Sequence, residues 1–564
     1  MHNQINFYLD DFSKEINSAQ DELVRENIVN RIWNKDFTIW KPDPAEISNR
    51  LGWLDTPDEM LTKVQEINSF VEDIKQSGFK KIVLLGMGGS SLAPEVFRFS
   101  FGIKPDYLDL SVLDTTDPVT ISDISDNLDY STTLFIVSTK SGGTVETLSL
   151  MKFFFNQTIR NLKNGTAGDH FIAITDPGSK LVTIAEQFNF RKTFINNPNI
   201  GGRFSALSFF GLVPAALVGV NIEEILSKAK IAADYSGSPL NKIALSGVVL
   251  GELANNYIDK ITFLTSPPLK YFQAWVEQLI AESTGKNGKG ILPVVNEPVL
   301  DVNYYSHDRV FVALKYLNDT SLDKVINNLR GKGFPVLVFE LENEYDLGKQ
   351  FFAWEFATAV AGWRLGIQPF DQPNVESAKV AARTTIQKYS EEGKLPEPEP
   401  DFVSGQKIKL FGNVKGNNLS GIFDNFFEQN IKNSPGSYAA IQAFITPSQE
   451  NYELLQKIRF EITRKYKLAS TVGFGPRFLH STGQLHKGDA GNGIFLQFYY
   501  EPSVNLSIPE EMKSMESTIT FDVLIKAQAL GDRQALLDAG RKVLSINLSE
   551  NPGEKLEYIL SLFK

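Results

Sequence analysis

Two stretches mix glycine with hydroxyl side chains where an apolar run gives way to a helical pattern. The first, VLLGMGGSSLAPEV (Val83–Val96), puts Gly86, Gly88, Gly89, Ser90 and Ser91 after an apolar strand. The second, STKSGGTVET (Ser138–Thr147), offers Thr139, Lys140, Ser141 and Thr144. Small residues at such a junction let backbone N–H groups crowd around an anion at a helix N-terminus, and a lysine adds charge. Neither stretch is a dinucleotide fingerprint or a Walker-type loop, so a phosphate that is not part of an ordinary nucleotide suits them best. The same residue types also make plain turns and N-caps. Two such loops in one segment, one with a lysine, favour the phosphate.

Four further stretches carry chemistry. NIGGRFSALS (Asn199–Ser208) sets a glycine pair before Arg203, whose guanidinium suits a phosphate or a developing oxyanion. WVEQLIAESTGKNGKG (Trp275–Gly290) places Glu282 at the C-terminal end of an apolar helical face, where a carboxylate opposes the helix dipole and suits a general base. IQPFDQPNVESAK (Ile367–Lys379) stiffens a turn with two prolines and presents Gln372 and Lys379. GPRFLHSTGQLHKG (Gly475–Gly488) gathers His480, His486, Arg477, Gln484 and Lys487. An i, i+6 histidine pair does not share a helix face, so a two-histidine metal site is not expected, and one histidine as acid and base is the better reading. Taken singly, each of these residues also has an ordinary structural role as a cap, a turn or a solvated charge.

These residues need a scaffold that brings separate loops together. Strand-like runs at Lys81–Leu85, Leu108–Leu113, Thr133–Ser138 and Phe171–Thr175 alternate with helical patterns at Pro94–Phe101, Thr144–Phe155 and Ser179–Phe188. Alternating βα units predict a parallel sheet with helices on both faces and ligand loops along one edge. A second series begins near Asn241, with strands at Ile261–Leu264, Val310–Lys315 and Pro335–Phe339 and a long helix from Glu344 to about Trp363. EEGKLPEPEPDF (Glu391–Phe402) reads as a linker. Beyond it, Tyr438–Ile445 and Gly493–Tyr499 read as strands, Gln449–Tyr466 and Ile519–Leu530 as helices. The expected organisation is an N-terminal helical segment (1–60) with an aromatic cluster of Trp33, Trp40 and Trp53, α/β units over 61–235 and 236–390, a linker over 391–402, and an α/β C-terminal portion over 403–564.

Bulk properties limit the function. At 564 residues the chain is too long for one core. The formal charge of −11 argues against a nucleic-acid surface. There is no cysteine, which removes thiolate chemistry and Cys metal ligands. No apolar run reaches the roughly 18–20 residues of a membrane span, and the polar start MHNQINFYLDDFSKEI is unlike a signal peptide. A cytoplasmic protein with no membrane partner is expected.

GMGGSSLAPEV, STKSGGTVET, GGRFSALS, ESTGK and PFDQPNVESAK together resemble, in order, the motifs of the phosphoglucose isomerase family. RIWNKDFTIW, LGWLD and GPRFLHSTGQLHKG resemble the isomerase half of transaldolase–phosphoglucose isomerase fusions, without room for a transaldolase barrel. The resemblance implies two flavodoxin-like sugar-isomerase (SIS) domains, no cofactor, no metal, and a homodimer. It implies interconversion of glucose 6-phosphate and fructose 6-phosphate through a cis-enediolate, in glycolysis and gluconeogenesis. Joint phosphomannose isomerisation and a non-catalytic sugar-phosphate-binding module are the rival readings. By resemblance, Gly89, Ser90, Thr139, Lys140, Ser141 and Thr144 would bind the phosphate and Gln372 the sugar. Arg203 would stabilise the enediolate, Glu282 would move the C1/C2 proton, and Lys379 would assist ring opening. The ring-opening histidine is expected at His480, in LHSTGQ, rather than at His307 in YYSHDRVF, although His480 follows Lys379 in the chain. The resemblance leaves open whether that histidine acts within its own subunit.

Overall fold

Leucine- and β-branched-rich runs without polar alternation become strands buried on both faces. The computed structural model describes residues 1, 4–162, 166–412 and 414–564. Its strands are β1 (Ile5–Tyr8), β2 (Lys81–Gly86), β3 (Asp109–Leu113), β4 (Thr133–Ser138), β5 (Phe171–Thr175), β6 (Lys192–Ile195), β7 (Lys260–Thr265), β8 (Leu292–Val294), β9 (Arg309–Tyr316) and β10 (Val336–Leu341). They continue with β11 (Phe402–Val403), β12 (Lys409–Phe411), β13 (Tyr438–Phe444), β14 (Ala469–Phe474), β15 (Gly493–Tyr499), β16 (Ser507–Ile508), β17 (Ile519–Thr520) and β18 (Lys542–Asn547).

Three sheets repeat one arrangement. The first runs β3-β2-β4-β5-β6, all parallel. The second runs β8-β7-β9-β10, parallel, with β1 added antiparallel at the edge. The third runs β14-β13-β15-β18, parallel, with β12 and β11 added antiparallel. In each, the second strand in sequence lies outside the first and the third pairs on the other side, the doubly wound order that opens a crevice at the reversal point. The C-terminal portion is therefore a third unit with the same winding, a likeness that its sequence does not display.

Several expectations shift at their edges. The N-terminal segment, expected to be helical, also contributes β1, which pairs with β10 and ties the start of the chain to the second sheet. The stretch read as a helix from Ile519 opens with β17, and its helix runs Phe521–Asp538. The linker is held in place, because Glu397 accepts hydrogen bonds from Tyr499 Oη at 2.6 Å and Lys526 Nζ at 2.9 Å. Among the described residues, no helix is long and apolar enough to cross a membrane.

The aromatic cluster braces the site from below. Trp53 packs on Phe204 with ring centroids 5.4 Å apart, and Trp40 packs edge-on against Phe370 at 4.9 Å. Phe204 and Phe370 touch in turn at 5.4 Å. Buried aromatic pairs of this kind fix backbone positions as well as burying area, here those of Arg203 and Asp371, which directly precede and follow them.

Candidate active site

The first sheet sets the two glycine–hydroxyl loops side by side. Gly86 of β2 is paired with Ser138 of β4, so both loops leave the same edge at the same level. Ser138 Oγ then donates to Ser90 O at 3.1 Å, joining one loop to the other. Gly89 has to be glycine, since a Cβ there would lie 2.0 Å from Gly202 O, where the Arg203 turn crosses. The helices that follow, Leu92–Phe101 and Val145–Asn161, have Ser91 and Thr144 at their N-caps, and neither side chain caps its helix. Ser91 Oγ instead donates to Asp114 at 3.1 Å, and Thr144 Oγ1 shares a hydrogen bond with Thr139 Oγ1 at 3.1 Å. Helix N-termini left without side-chain caps beside hydroxyls and glycine form an anion cradle.

Arg203 is 3% exposed and is held by its whole fork. Nε donates to Ser283 Oγ at 2.8 Å, Nη1 to Gln372 Oε1 at 3.0 Å, and Nη2 to the carbonyls of Pro369 and Asp371 at 2.7 and 3.0 Å. Nη1 also lies 3.4 Å from Glu282 Oε1. Burial disfavours the Arg203 charge, and the charges of Glu282 and Asp371 oppose that effect. Lys286 Nζ donates to Asp371 O and Oδ1, both at 2.6 Å. Burial and the nearby Arg203 charge bring the Lys286 ammonium down to about 8.

Glu282 lies near the end of the Phe272–Thr284 helix, as the sequence suggests. Gln278, one turn earlier, donates from Nε2 to Glu282 Oε2 at 3.2 Å and to His480 O at 2.7 Å. His480 arrives from the third unit, on the turn after β14. Its Nε2 lies 3.1 Å from Glu146 Oε1, and Gln528 Nε2 donates to the same oxygen at 2.8 Å. Gln484 of the same motif knits the site together. It donates to Gly285 O and Asn374 Oδ1, and accepts from Asn374 N, each at 2.8 Å. Gly285 permits this docking, since a Cβ there would lie 2.3 Å from Leu485 Cα.

One cavity of about 460 Å³ is lined by Gly89, Ser90, Thr139, Lys140, Ser141, Thr144, Arg203, Glu282, Gln372, Lys379 and His480. Every residue singled out from sequence as catalytic or substrate-binding therefore reaches a single space. They are not equally engaged there. Lys140 is ion-paired with Asp176 and donates to Pro198 O at 3.1 Å. Lys379 is half exposed, and its carboxylate contact is Glu376 at 3.8 Å. His307 is an exposed residue stacked near Phe334, away from the cavity lining. His486 is buried in the third unit beside Gln442, and burial keeps its imidazole far below the usual histidine range. Gln278 and Glu146 are among the residues that escaped the sequence reading. Gln278 was legible as the i−4 neighbour of Glu282, and Glu146 lies inside STKSGGTVET itself, two places after Thr144.

Comparison with known proteins points to one family. The family model described as phosphoglucose isomerase matches residues 55–295. A protein of Methanococcus maripaludis named "Probable glucose-6-phosphate isomerase" is 30% identical over 409 residues, covering 64% of this chain and 89% of the relative. The chain belongs to the phosphoglucose isomerase family. A second phosphoglucose isomerase relative, the glucose-6-phosphate isomerase of Campylobacter jejuni, is 28% identical and covers 60% of this chain and 93% of its own length. A solved glucose-6-phosphate isomerase from Chlamydia trachomatis shares the fold, with a TM-score of 0.55 at 20% identity over 67% of this chain and 86% of that one. The hypothetical protein TT0462 of Thermus thermophilus superposes with a TM-score of 0.58 at 24% identity, covering 67% and 99%. Each match leaves about a third or more of this phosphoglucose isomerase chain outside it.

Proposed function

We propose that this chain is a glucose-6-phosphate isomerase that interconverts glucose 6-phosphate and fructose 6-phosphate, a step shared by glycolysis and gluconeogenesis. The observation that carries the reading is the Glu282 carboxylate 3.4 Å from the buried Arg203 guanidinium, in the cavity that also holds the two anion-cradling loops. In this reading the units 61–235, 236–390 and 403–564 supply phosphate binding, the base and the ring-opening group respectively.

The phosphate would sit against Ser90, Thr139, Ser141 and Thr144 and the two helix N-termini, and its binding energy would orient the sugar. Lys140 joins them by exchanging Asp176 for the phosphate. His480, oriented by Glu146, moves a proton between the C1 hydroxyl and the ring oxygen as the C1–O5 bond breaks, with Lys379 beside the ring. Glu282 takes the C2 proton of the open aldose, and the C–H electron pair forms the C1–C2 double bond of an enediolate as the carbonyl pair moves onto the C1 oxygen. Glu282 returns a proton to C1, either the one it took or one exchanged with water, while the O2 hydroxyl proton passes to O1 as the C2 carbonyl forms. Arg203 faces that developing charge with a fixed guanidinium, the arrangement in which electrostatic stabilisation is strongest. Gln372 and Gln278 hold Arg203 and Glu282 in register.

The test follows fructose 6-phosphate turnover in the parent and in Glu282→Gln. Parent activity that disappears in Glu282→Gln, with sugar-phosphate binding kept, is expected. A parent that binds the sugar phosphate and turns none over would make the protein a binding module and end this reading.

A further inference from the structure

The histidine of this site stands on a different unit from the phosphate loops and the base, so something must fix its turn against them. Arg477, three residues earlier in the same short 3-10 turn, reaches across to the first unit. Its Nη1 lies 3.2 Å from Glu95 Oε1, its Nη2 makes a closer contact with Glu95 Oε2, and Nη1 lies 3.4 Å from Asp114 Oδ2. Glu95 belongs to the helix that opens at the first phosphate loop. Asp114 directly follows β3, and its Oδ2 also accepts from Ser91 Oγ, the neighbour of Ser90, at 3.1 Å. Glu277, on the helix that carries Glu282, adds its charge to the same guanidinium.

We propose that Arg477 is a positioning residue that fixes His480 relative to the phosphate loop, through its fork on Glu95 and Asp114. The proposal rests on the reading of His480 as the ring-opening group. Gln278 anchors the His480 carbonyl, Glu146 its ring and Gln484 the residues after it, whereas the start of the turn, at Arg477, is tied to the first unit through the guanidinium fork. A guanidinium bound by both nitrogens to a carboxylate fixes direction as well as distance, which an ammonium cannot do. In a turn this short, a displacement at 477 is felt at 480. Burial pushes the Asp114 carboxyl above its ordinary range although Arg477 faces it, so the guanidinium also keeps that acid from being left unpaired beside Ser91.

A merely structural role would weaken every activity equally, whereas a role through His480 weakens ring opening alone. The test uses fructose 6-phosphate and its 5-deoxy analogue, which lacks the hydroxyl that closes the ring and so stays open-chain. Deuterium entering C1 from solvent is measured by NMR for both compounds. Arg477→Met is expected to lose roughly 10- to 100-fold on fructose 6-phosphate, the scale of an ångström-level misplacement, and to stay within about 3-fold of the parent on the analogue. Arg477→Lys should fall between the two. His480→Ala calibrates the assay with the same selective loss.

Parent-like exchange on fructose 6-phosphate in Arg477→Met overturns the proposal, as does equal loss on both compounds. If Arg477→Met does not fold, Glu95→Gln removes the other half of the fork, and the same selective loss is required of it. If His480→Ala itself exchanges fructose 6-phosphate like the parent while Glu282→Gln does not, the ring-opening assignment has failed, and Arg477 with it. An inactive parent ends the isomerase reading instead.

Discussion

His480 Nε2 lies 3.1 Å from Glu146 Oε1, a contact between residues 334 positions apart that joins the third unit to the first. Glu146 stands in the first turn of the Val145–Asn161 helix, where the dipole favours an anion. Burial works to raise its carboxyl, but the charge of His480 and the hydrogen bond to it win and hold Glu146 below its ordinary range. Gln528 donates to the same oxygen and itself accepts from Thr116 Oγ1 at 2.7 Å, so the carboxylate is fixed from behind. With Nε2 committed to Glu146, the imidazole is left with Nδ1 for a substrate.

Glu146→Gln tests that arrangement. The carboxamide keeps the shape but loses the charge that orients and stabilises an imidazolium. Turnover of fructose 6-phosphate should fall by roughly 10² to 10⁴, the range for losing a general acid–base group or its orienting carboxylate. Exchange on the open-chain analogue should be nearly unchanged. Stability carries a second signature. Because the folded carboxyl is depressed, its stabilising contribution is present above the unfolded value near 4.3 and is lost as pH falls through the lower folded value. The parent should therefore lose stability faster than Glu146→Gln on acidification below about pH 4, measured by urea unfolding at several pH values.

Arg203→Lys should be far from conservative. The guanidinium uses Nε, Nη1 and Nη2 on four fixed acceptors while still facing Glu282. An ammonium has three donors on a flexible stem and cannot span Ser283, Gln372 and the Pro369 and Asp371 carbonyls together. Loss of a preorganised charge at a developing enediolate is expected to lower kcat by about 10² to 10³ with little change in KM. Steady-state kinetics decide the matter, and a KM effect with kcat kept would place Arg203 in ground-state binding instead.

The site was legible in the sequence to the extent that its chemistry is local. Each glycine–hydroxyl loop marks the end of its own strand, and the pairing of Gly86 with Ser138 follows once β2 and β4 are neighbours. Partnerships between units were not legible. Nothing within GPRFLHSTGQLHKG says that Arg477 meets Glu95 or that His480 meets Glu146, because those contacts depend on how three sheets dock. β1 was missed for the same reason. Four residues, INFY, gain strand structure only by pairing along β10, and alone they carry no stronger pattern than the helical residues after them. Lys140 has a partner that its motif does not reveal. Its residue type suits a phosphate, yet in this structure it is ion-paired with Asp176, which its motif does not contain.

Lys286 should give the activity an alkaline limb. Burial and Arg203 lower its ammonium to about 8, with Asp371 and Glu282 opposing. As pH rises through that value the amine becomes neutral, the Asp371 charge loses its counter-ion, and the field of Arg203 on Glu282 is weakened. kcat should fall above about pH 8 in the parent, whereas Lys286→Met should be slow at neutral pH and flat across the same range. The stability effect has the opposite slope. Between about 8 and the unfolded lysine value near 10.4, the unfolded chain holds a proton that the folded chain has released. This group's penalty is therefore full below about pH 8 and relieved as pH rises through that window. A parent profile level from pH 7 to about 9 would remove Lys286 from the account.

The third unit must also be held to the second, and Glu297 does this between two arginines. Arg309 of β9 donates to Glu297 at 2.5 and 3.2 Å, and Arg459 of the Gln449–Tyr466 helix lies 3.9 Å from Glu297 Oε1. All three side chains are at most 2% exposed. Arg459 Nη1 further donates to Val295 O at 2.8 Å, and Ser470 Oγ to Glu297 at 3.4 Å. Glu297→Gln leaves two buried cations facing each other and should cost about 3–5 kcal/mol, the scale for removing one partner of a buried ion pair. Because His480 rides on the third unit, isomerase activity should be lost on heating before the helical circular dichroism signal. The stronger test replaces the whole cluster with apolar side chains, Arg309→Met, Glu297→Leu and Arg459→Met together. Removing all three charges also removes their desolvation cost, so the triple variant should recover most of the stability that Glu297→Gln loses. A triple variant less stable than Glu297→Gln would mean that the hydrogen bonds to Ser470 and Val295, rather than the charges, hold the units together.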